Sequence, residues 1–156
     1  KMRINLITIG KKMPNWINLG IEHYQKQLPS YYNFKITSLD SQSRKSSSAE
    51  NSKNLESKLL LEAASESTLL IAFDELGKQQ TSKQISKSIE NWQLEGESVA
   101  LIIGGADGLS SEIKQKCHQL WGLSNLTMTH SMARLIVVEQ IYRGYSLLNN
   151  HPYHRE

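Results

Sequence analysis

The chain has 156 residues, 18 of them Lys or Arg and 15 Asp or Glu, with a net charge of +3, a length that suits one domain, residues 1–156, with a core of its own. No apolar run approaches the roughly 18 residues of a membrane span, and a single cysteine, Cys117, excludes an internal disulfide and a multi-cysteine zinc site and suits a reducing cytoplasm. A pI near 9.0 permits an anionic partner, but binding RNA by charge alone calls for a more basic protein, so an RNA would have to be recognised with help from shape or a second subunit.

Met2 reads as the native start and Lys1 as an addition, and the short apolar segment with Pro14 close behind it does not read as a signal peptide. Ile4 to Ile9 ("INLITI") reads as a strand that ends at Gly10. Trp16, Ile17, Gly20, Ile21, Tyr24 and Leu28 recur at helical spacing until Pro29 stops them. "NFKITSL", Asn33 to Leu39, alternates apolar and polar residues as a second strand. The serine-rich "DSQSRKSSSAENS" that follows reads as a mobile loop. Leu55, Leu59, Leu60 and Ala63 then predict an amphipathic helix, and "TLLIAFD", Thr68 to Asp74, a central strand.

Thr81 or Ser82 is placed to cap a helix bearing Ile85, Ile89 and Trp92. "SVALIIGG", Ser98 to Gly105, is the strongest strand pattern and runs into glycines. Ser110 can cap the next helix, with Ile113 and Leu120 on its inner side. After "LSNLTM", Leu123 to Met128, comes the longest helical pattern, in which Met132, Leu135, Ile136, Glu139, Tyr142, Arg143 and Ser146 recur. Strands separated by helices argue for an α/β fold, a parallel sheet with helices on both faces.

Open sheets of this kind bind ligands beyond the carboxyl ends of their strands, which draws attention to "LIIGGADGLS". Its glycine spacing is neither the dinucleotide fingerprint nor a P-loop, so hydride transfer and nucleotide hydrolysis are weak readings; a plain tight turn competes with a ligand loop. The acidic turn "FDELGK" can bind a ribose or an amino group, or merely solvate. His130 stands at the start of the last helix, as a cap or a base. Arg134, in the apolar "MARLIVV", calls for an anion or a carboxylate partner. Glu139 and Arg143 are spaced to pair on one helix face. The tail, "NNHPYHRE", carries His151, Tyr153, His154 and Arg155; its histidines lack a third ligand, so no metal is expected, and Pro152 stiffens what would otherwise read as a fraying end.

"KMPNWINLGIEHY", "LIIGGADGLS" and "LSNLTMTHSMARLIVVEQIYRGYSLLNNHPYHRE" together resemble the ribosomal large subunit methyltransferase H family of the SPOUT superfamily, from Met2 to Glu156. The resemblance implies a homodimer whose carboxyl-terminal part forms a deep trefoil knot. It implies methyl transfer from S-adenosylmethionine to N3 of a pseudouridine in 23S ribosomal RNA, on the assembled ribosome in the cytoplasm and without a metal. Carried onto matching positions, the cofactor pocket comprises Phe73, Gly104, Gly105, Leu123, Ser124, Asn125, Leu126, Thr127 and Met128. Tyr153, His154 and His130 become candidates for contacting the base or taking its proton, and Arg134, Arg143 and Arg155 for RNA phosphates. The tail then forms an active-site wall at a dimer interface. "FDELGK" departs from the commoner family form, leaving the role of Asp74 and Glu75 open. A related enzyme acting on tRNA and a non-catalytic ribosome assembly factor are the rival readings.

Overall fold

The structure is a computed structural model that describes residues 1–42 and 48–153. Among those residues five parallel strands, β1 (Arg3–Ile9), β2 (Phe34–Leu39), β3 (Leu69–Gln79), β4 (Ser98–Ile103) and β5 (Gln119–Gly122), form one sheet in the order β2-β1-β4-β3-β5. The helices are α1 (Asn15–Gln25), α2 (Ala49–Ala63), α3 (Ser82–Glu95), α4 (Ser111–Lys116) and α5 (His130–Leu148). The alternation of β4 shows how the sheet makes three layers. Val99, Leu101 and Ile103 join the core under α1, α3 and α5, while Ala100 and Ile102 face the core under α2 and α4. Each fully buried isoleucine, Ile71 or Ile89 for example, stabilises the fold by about 2 kcal/mol.

The expected caps form. Thr81 begins α3 in a reciprocal capping box with Gln84, and Ser110 accepts a hydrogen bond from the Ile113 N–H at the start of α4. Ile85, Ile89 and Trp92 are the buried stripe of α3. α1 buries the expected Ile17 and Ile21, with Tyr24 and Leu28 packed against the core, and of the expected residues Trp16 stands out, 60% exposed. On α2 the inward residues are Ser52, Glu56, Ser57 and Leu60, whereas Leu55 faces outward. The polar side chains win the inward face because they serve buried backbone donors: Ser57 Oγ accepts from the Ser110 N–H and Glu56 from the Gln42 N–H. The helix begins at Ala49 with Ser48 as its cap, so part of the expected serine-rich loop is helical, and residues 43–47 of it lie outside the described residues.

β3 and β5 depart most from expectation. β3 continues through the polar "DELGKQ", and its register with β5 shifts between Phe73 and Lys78, both paired with Trp121. Leu120 lies on β5 rather than on the inner side of α4. The crossing is tight: a Cβ on Gly77 would stand 2.5 Å from the Trp121 carbonyl carbon, and one on Gly122 would stand 2.9 Å from the Gly77 carbonyl oxygen. Trp121 also stacks on Trp92, with ring centroids 6.1 Å apart, and meets Phe73 edge-on. From this corner the chain runs to α5, which packs between α1 and α3.

Candidate functional site

A cavity of about 890 Å³ opens beyond the carboxyl ends of β3, β4 and β5. Three segments wall it: Phe73 to Leu76, where β3 shifts register against β5, the glycine loop from Gly104 to Leu109, and the run from Leu123 to Thr129. Trp16 and His130 complete it from α1 and α5. The structure thus brings together every residue expected at a cofactor pocket, namely Phe73, Gly104, Gly105, Leu123, Ser124, Asn125, Leu126, Thr127 and Met128. Strand ends are where an open α/β sheet leaves such room.

Packing itself requires two of the glycines. A Cβ at Gly104 would meet Leu109 Cδ2 at 2.8 Å, and one at Gly105 would meet Glu56 Oε1 at 2.8 Å and Ile9 Cγ2 at 3.1 Å. Gly108 has open space around it and is needed for its φ of 78°. Beside this loop Asp74 has a structural task. One carboxylate oxygen lies 3.1 Å from Lys114 Nζ and the other accepts the Leu76 N–H, while Glu75 is exposed at the rim.

His130 is the first residue of α5, but the cap is Thr129, whose hydroxyl accepts the Met132 N–H. The imidazole is therefore free of a capping role. Burial chiefly, and the Arg134 guanidinium next, hold it below the ordinary histidine range, with Glu56 acting in the opposite sense. A neutral imidazole on the wall of a cavity can accept a proton.

The structure corrects the reading of Arg134 as a phosphate ligand. Its side chain is 3% exposed and donates to the Gly10 carbonyl at 3.1 Å, the Ile9 carbonyl at 3.4 Å and Ser38 Oγ at 3.4 Å. It ties the ends of β1 and β2 to α5, and backbone carbonyls take the place of the anion that its apolar neighbours seemed to demand. Arg143 does pair with Glu139, at 2.8 Å and 3.1 Å, and is only partly exposed.

Tyr153 is not among the residues that line the cavity of its own chain. Its hydroxyl donates to Glu139 Oε2 at 2.8 Å and lies 3.3 Å from the Tyr24 hydroxyl. The Arg143 guanidinium lies 5.0 Å from its ring centroid, and Tyr142 meets it edge-on at 4.8 Å. Burial, with the bonds to Tyr24 and Glu139, pushes its hydroxyl above the ordinary tyrosine range. Tyr24 was missed as the tail's seat, because an aromatic on an amphipathic helix carries no sign of which distant segment it meets. Residues 154 and 155, the other expected tail contacts His154 and Arg155, lie outside the described residues. Tyr153→Phe is expected to release the tail, raising amide exchange at residues 150–153 and lowering stability by about 1 kcal/mol; unchanged exchange would show that ring packing alone holds it.

Among the described residues no group of three or more His, Cys, Asp or Glu could hold a metal ion. The family described as "Predicted SPOUT methyltransferase" matches residues 2–154. The chain is 44% identical to the ribosomal RNA large subunit methyltransferase H of Hydrogenovibrio crunogenus and 42% identical to that of Methylobacillus flagellatus. Each match covers 99% of this chain and 100% of the relative. Among solved structures it resembles one described as a probable methylase family protein from Haemophilus influenzae Rd KW20, with a TM-score of 0.61 and 15% identity over 98% of this chain and 70% of the other. A probable methyltransferase from Bordetella pertussis Tohama I gives 0.57 and 13% over 92% and 96%. At those identities the likeness concerns the fold.

Proposed function

The chain belongs to the SPOUT methyltransferase family and, within it, to the ribosomal RNA large subunit methyltransferase H proteins, and on that premise we propose that it methylates N3 of a pseudouridine in 23S ribosomal RNA on the assembled ribosome. The observation that carries the reading is the cavity. Two loops that follow β4 and β5, and the irregular part of β3 from Phe73 to Leu76, converge on one space that His130 adjoins.

The residues fit S-adenosylmethionine as methyl donor. A volume of about 890 Å³ lies within the range of ligand pockets. The walls offer apolar surface from Phe73, Leu109, Leu123 and Met128 together with the backbone of two loops. Bound there, the donor supplies an electrophilic methyl group on a sulfonium, chemistry that needs no metal. What the chain adds is position and a base. The loops orient the donor, Trp16 and Leu126 offer apolar surface at the exposed side, and His130 accepts the N3 proton of the base.

The same reading includes a trefoil knot and a homodimer. Support for the knot comes from the path of the chain past the glycine-tight crossing of β3 and β5 before α5 returns between α1 and α3. Support for the dimer comes from exposed apolar residues on α1 and α5, with Trp16 60%, Leu19 57% and Met132 37% exposed. In such a pair the tail of one subunit completes the pocket of the other. A net charge of only +3 fits a protein that reads a shaped ribosomal site. No helix among the described residues is long and apolar enough to cross a membrane.

The reaction product tests the reading. Ribosomes that lack the modification, incubated with the protein and S-adenosylmethionine and digested to nucleosides, should yield N3-methylpseudouridine by mass spectrometry. Protein-free ribosomal RNA should yield very little. A methyl group on another atom or nucleoside, or equal yield from bare RNA, would contradict it.

A further inference from the structure

The crevice between the carboxyl ends of β1 and β4 holds charged groups from both sides of the sheet. Glu56 reaches it from α2 on one face, and Arg134 and His130 reach it from α5 on the other. Glu56 is 4% exposed. Its Oε2 accepts the Gln42 N–H at 2.9 Å, while its Oε1 is buried without a hydrogen-bond partner. That oxygen lies 2.8 Å from where a Gly105 Cβ would be, so it sits directly against the glycine loop. His130 Cε1 is 3.6 Å from where a Gly10 Cβ would be, on the β1 side of the same crevice. Its Nδ1, like Glu56 Oε1, is buried without a partner.

An uncompensated carboxylate inside a protein is costly, and each such group calls for a reason. Gln42 and the support of the glycine loop account for only one of the two oxygens. We infer that Glu56 is a positioning residue for methyl transfer: without a hydrogen bond to the ring, its buried carboxylate acts through its charge to favour the proton on Nδ1 and so leaves Nε2 as the lone-pair nitrogen. The inference rests on the proposed role of His130 as base.

The chemistry needs such a group. As N3 forms its bond to the methyl carbon, the electron pair of the broken sulfur–carbon bond stays on sulfur, and the N3 proton passes to Nε2. The imidazole thereby gains a positive charge. Arg134, on the same helix, opposes that charge, so a carboxylate is needed to favour it. Among the described residues, Lys11 pairs with Asp40, Lys114 pairs with Asp74, Asp107 of the glycine loop is engaged as well, and Glu75 is exposed at the rim. Sequence reasoning missed Glu56 because a glutamate next to Leu55 on an amphipathic helix reads as surface. The available clue was its spacing, four residues after Ser52 and four before Leu60.

Histidine-labelled protein and long-range proton–nitrogen spectra test the inference without substrate. The His130 signals are those lost in His130→Gln. In the unsubstituted protein at neutral pH they should show the proton on Nδ1; a proton on Nε2 overturns the inference even if no variant folds. In Glu56→Gln, which keeps shape and an acceptor for Gln42, that preference should weaken and His130 should titrate at lower pH. The acid limb of single-turnover methylation should move the same way, with the neutral-pH rate down roughly tenfold, and Glu56→Asp should restore part of it. An unchanged tautomer and titration in Glu56→Gln would contradict the positioning role. A spectrum that responds as expected in a protein without methyl transfer would instead remove the function proposed for the site and leave the Glu56–His130 coupling standing.

Discussion

Replacing His130 by alanine should lower single-turnover methylation of ribosomes by roughly 10²–10⁴-fold, the usual contribution of a positioned base. The protein should stay folded, because Thr129 caps α5 and Arg134 makes the bonds to β1 without help from the imidazole. Binding of S-adenosylmethionine by calorimetry should change little, since the loops supply most of the cavity wall. The pH dependence carries a sign that can be checked. Burial and Arg134 hold the His130 imidazole below the ordinary histidine range, so it is neutral and competent at pH 7. Activity should fall only as pH drops through that lowered value, where the ring takes a proton before the base can give it one. The alanine variant should lose this limb. A variant with the full rate, or one that kept the acid limb, would assign the proton to another group, with the tail the next place to look.

Gly77→Ala should be the most destabilising small substitution in the described structure. The added methyl would lie 2.5 Å from the Trp121 carbonyl carbon and 2.8 Å from that of Leu120, both backbone atoms that no rotamer change can move. Overpacking of this kind costs about 1–3 kcal/mol, with the upper end expected where backbone must shift. For a chain of this length that lowers Tm by roughly 3–10 °C. The damage should also reach the cavity, because Phe73 and Leu123 flank the same crossing. Gly108→Ala is the useful contrast. Nothing lies within 4 Å of its Cβ position, and its cost is the φ of 78° alone, about 1 kcal/mol. Similar melting temperatures for the two variants would mean that the strands can part at the crossing.

The elements that the residue pattern revealed are those whose burial is one-sided or complete. "INLITI", "TLLIAFD" and "SVALIIGG" are strands because β-branched and leucine residues fill both faces of a covered parallel sheet. The three-layer α/β class followed from their alternation with helices. The order β2-β1-β4-β3-β5 was out of reach, since no local pattern says which strand lies beside which. β5 was missed because "QLWG" is four residues long, too short for an alternation to declare itself. The extension of β3 through "DELGKQ" is polar, and it is held by pairing with β5 across a register shift. α2 buries the expected Leu60 but also Ser52, Glu56 and Ser57, because the backbone N–H groups of Ser110 and Gln42 call for polar partners.

The candidate site divides in the same way. The loops of the cavity could be placed from strand ends and from family resemblance. The environments of single side chains could not: Arg134 finds carbonyls instead of an anion, and Tyr153 finds Glu139 and Tyr24. α1 and the tail are thus brought together by a long-range contact between Tyr24 and Tyr153 that neither segment announces.

Transfer of tritiated methyl from S-adenosylmethionine, measured in parallel on ribosomes lacking the modification, on protein-free ribosomal RNA and on bulk tRNA, tests the central claim most directly. The account predicts label in the large-subunit RNA of ribosomes, very little in bare RNA and none in tRNA. Label in tRNA and none in ribosomes would contradict it.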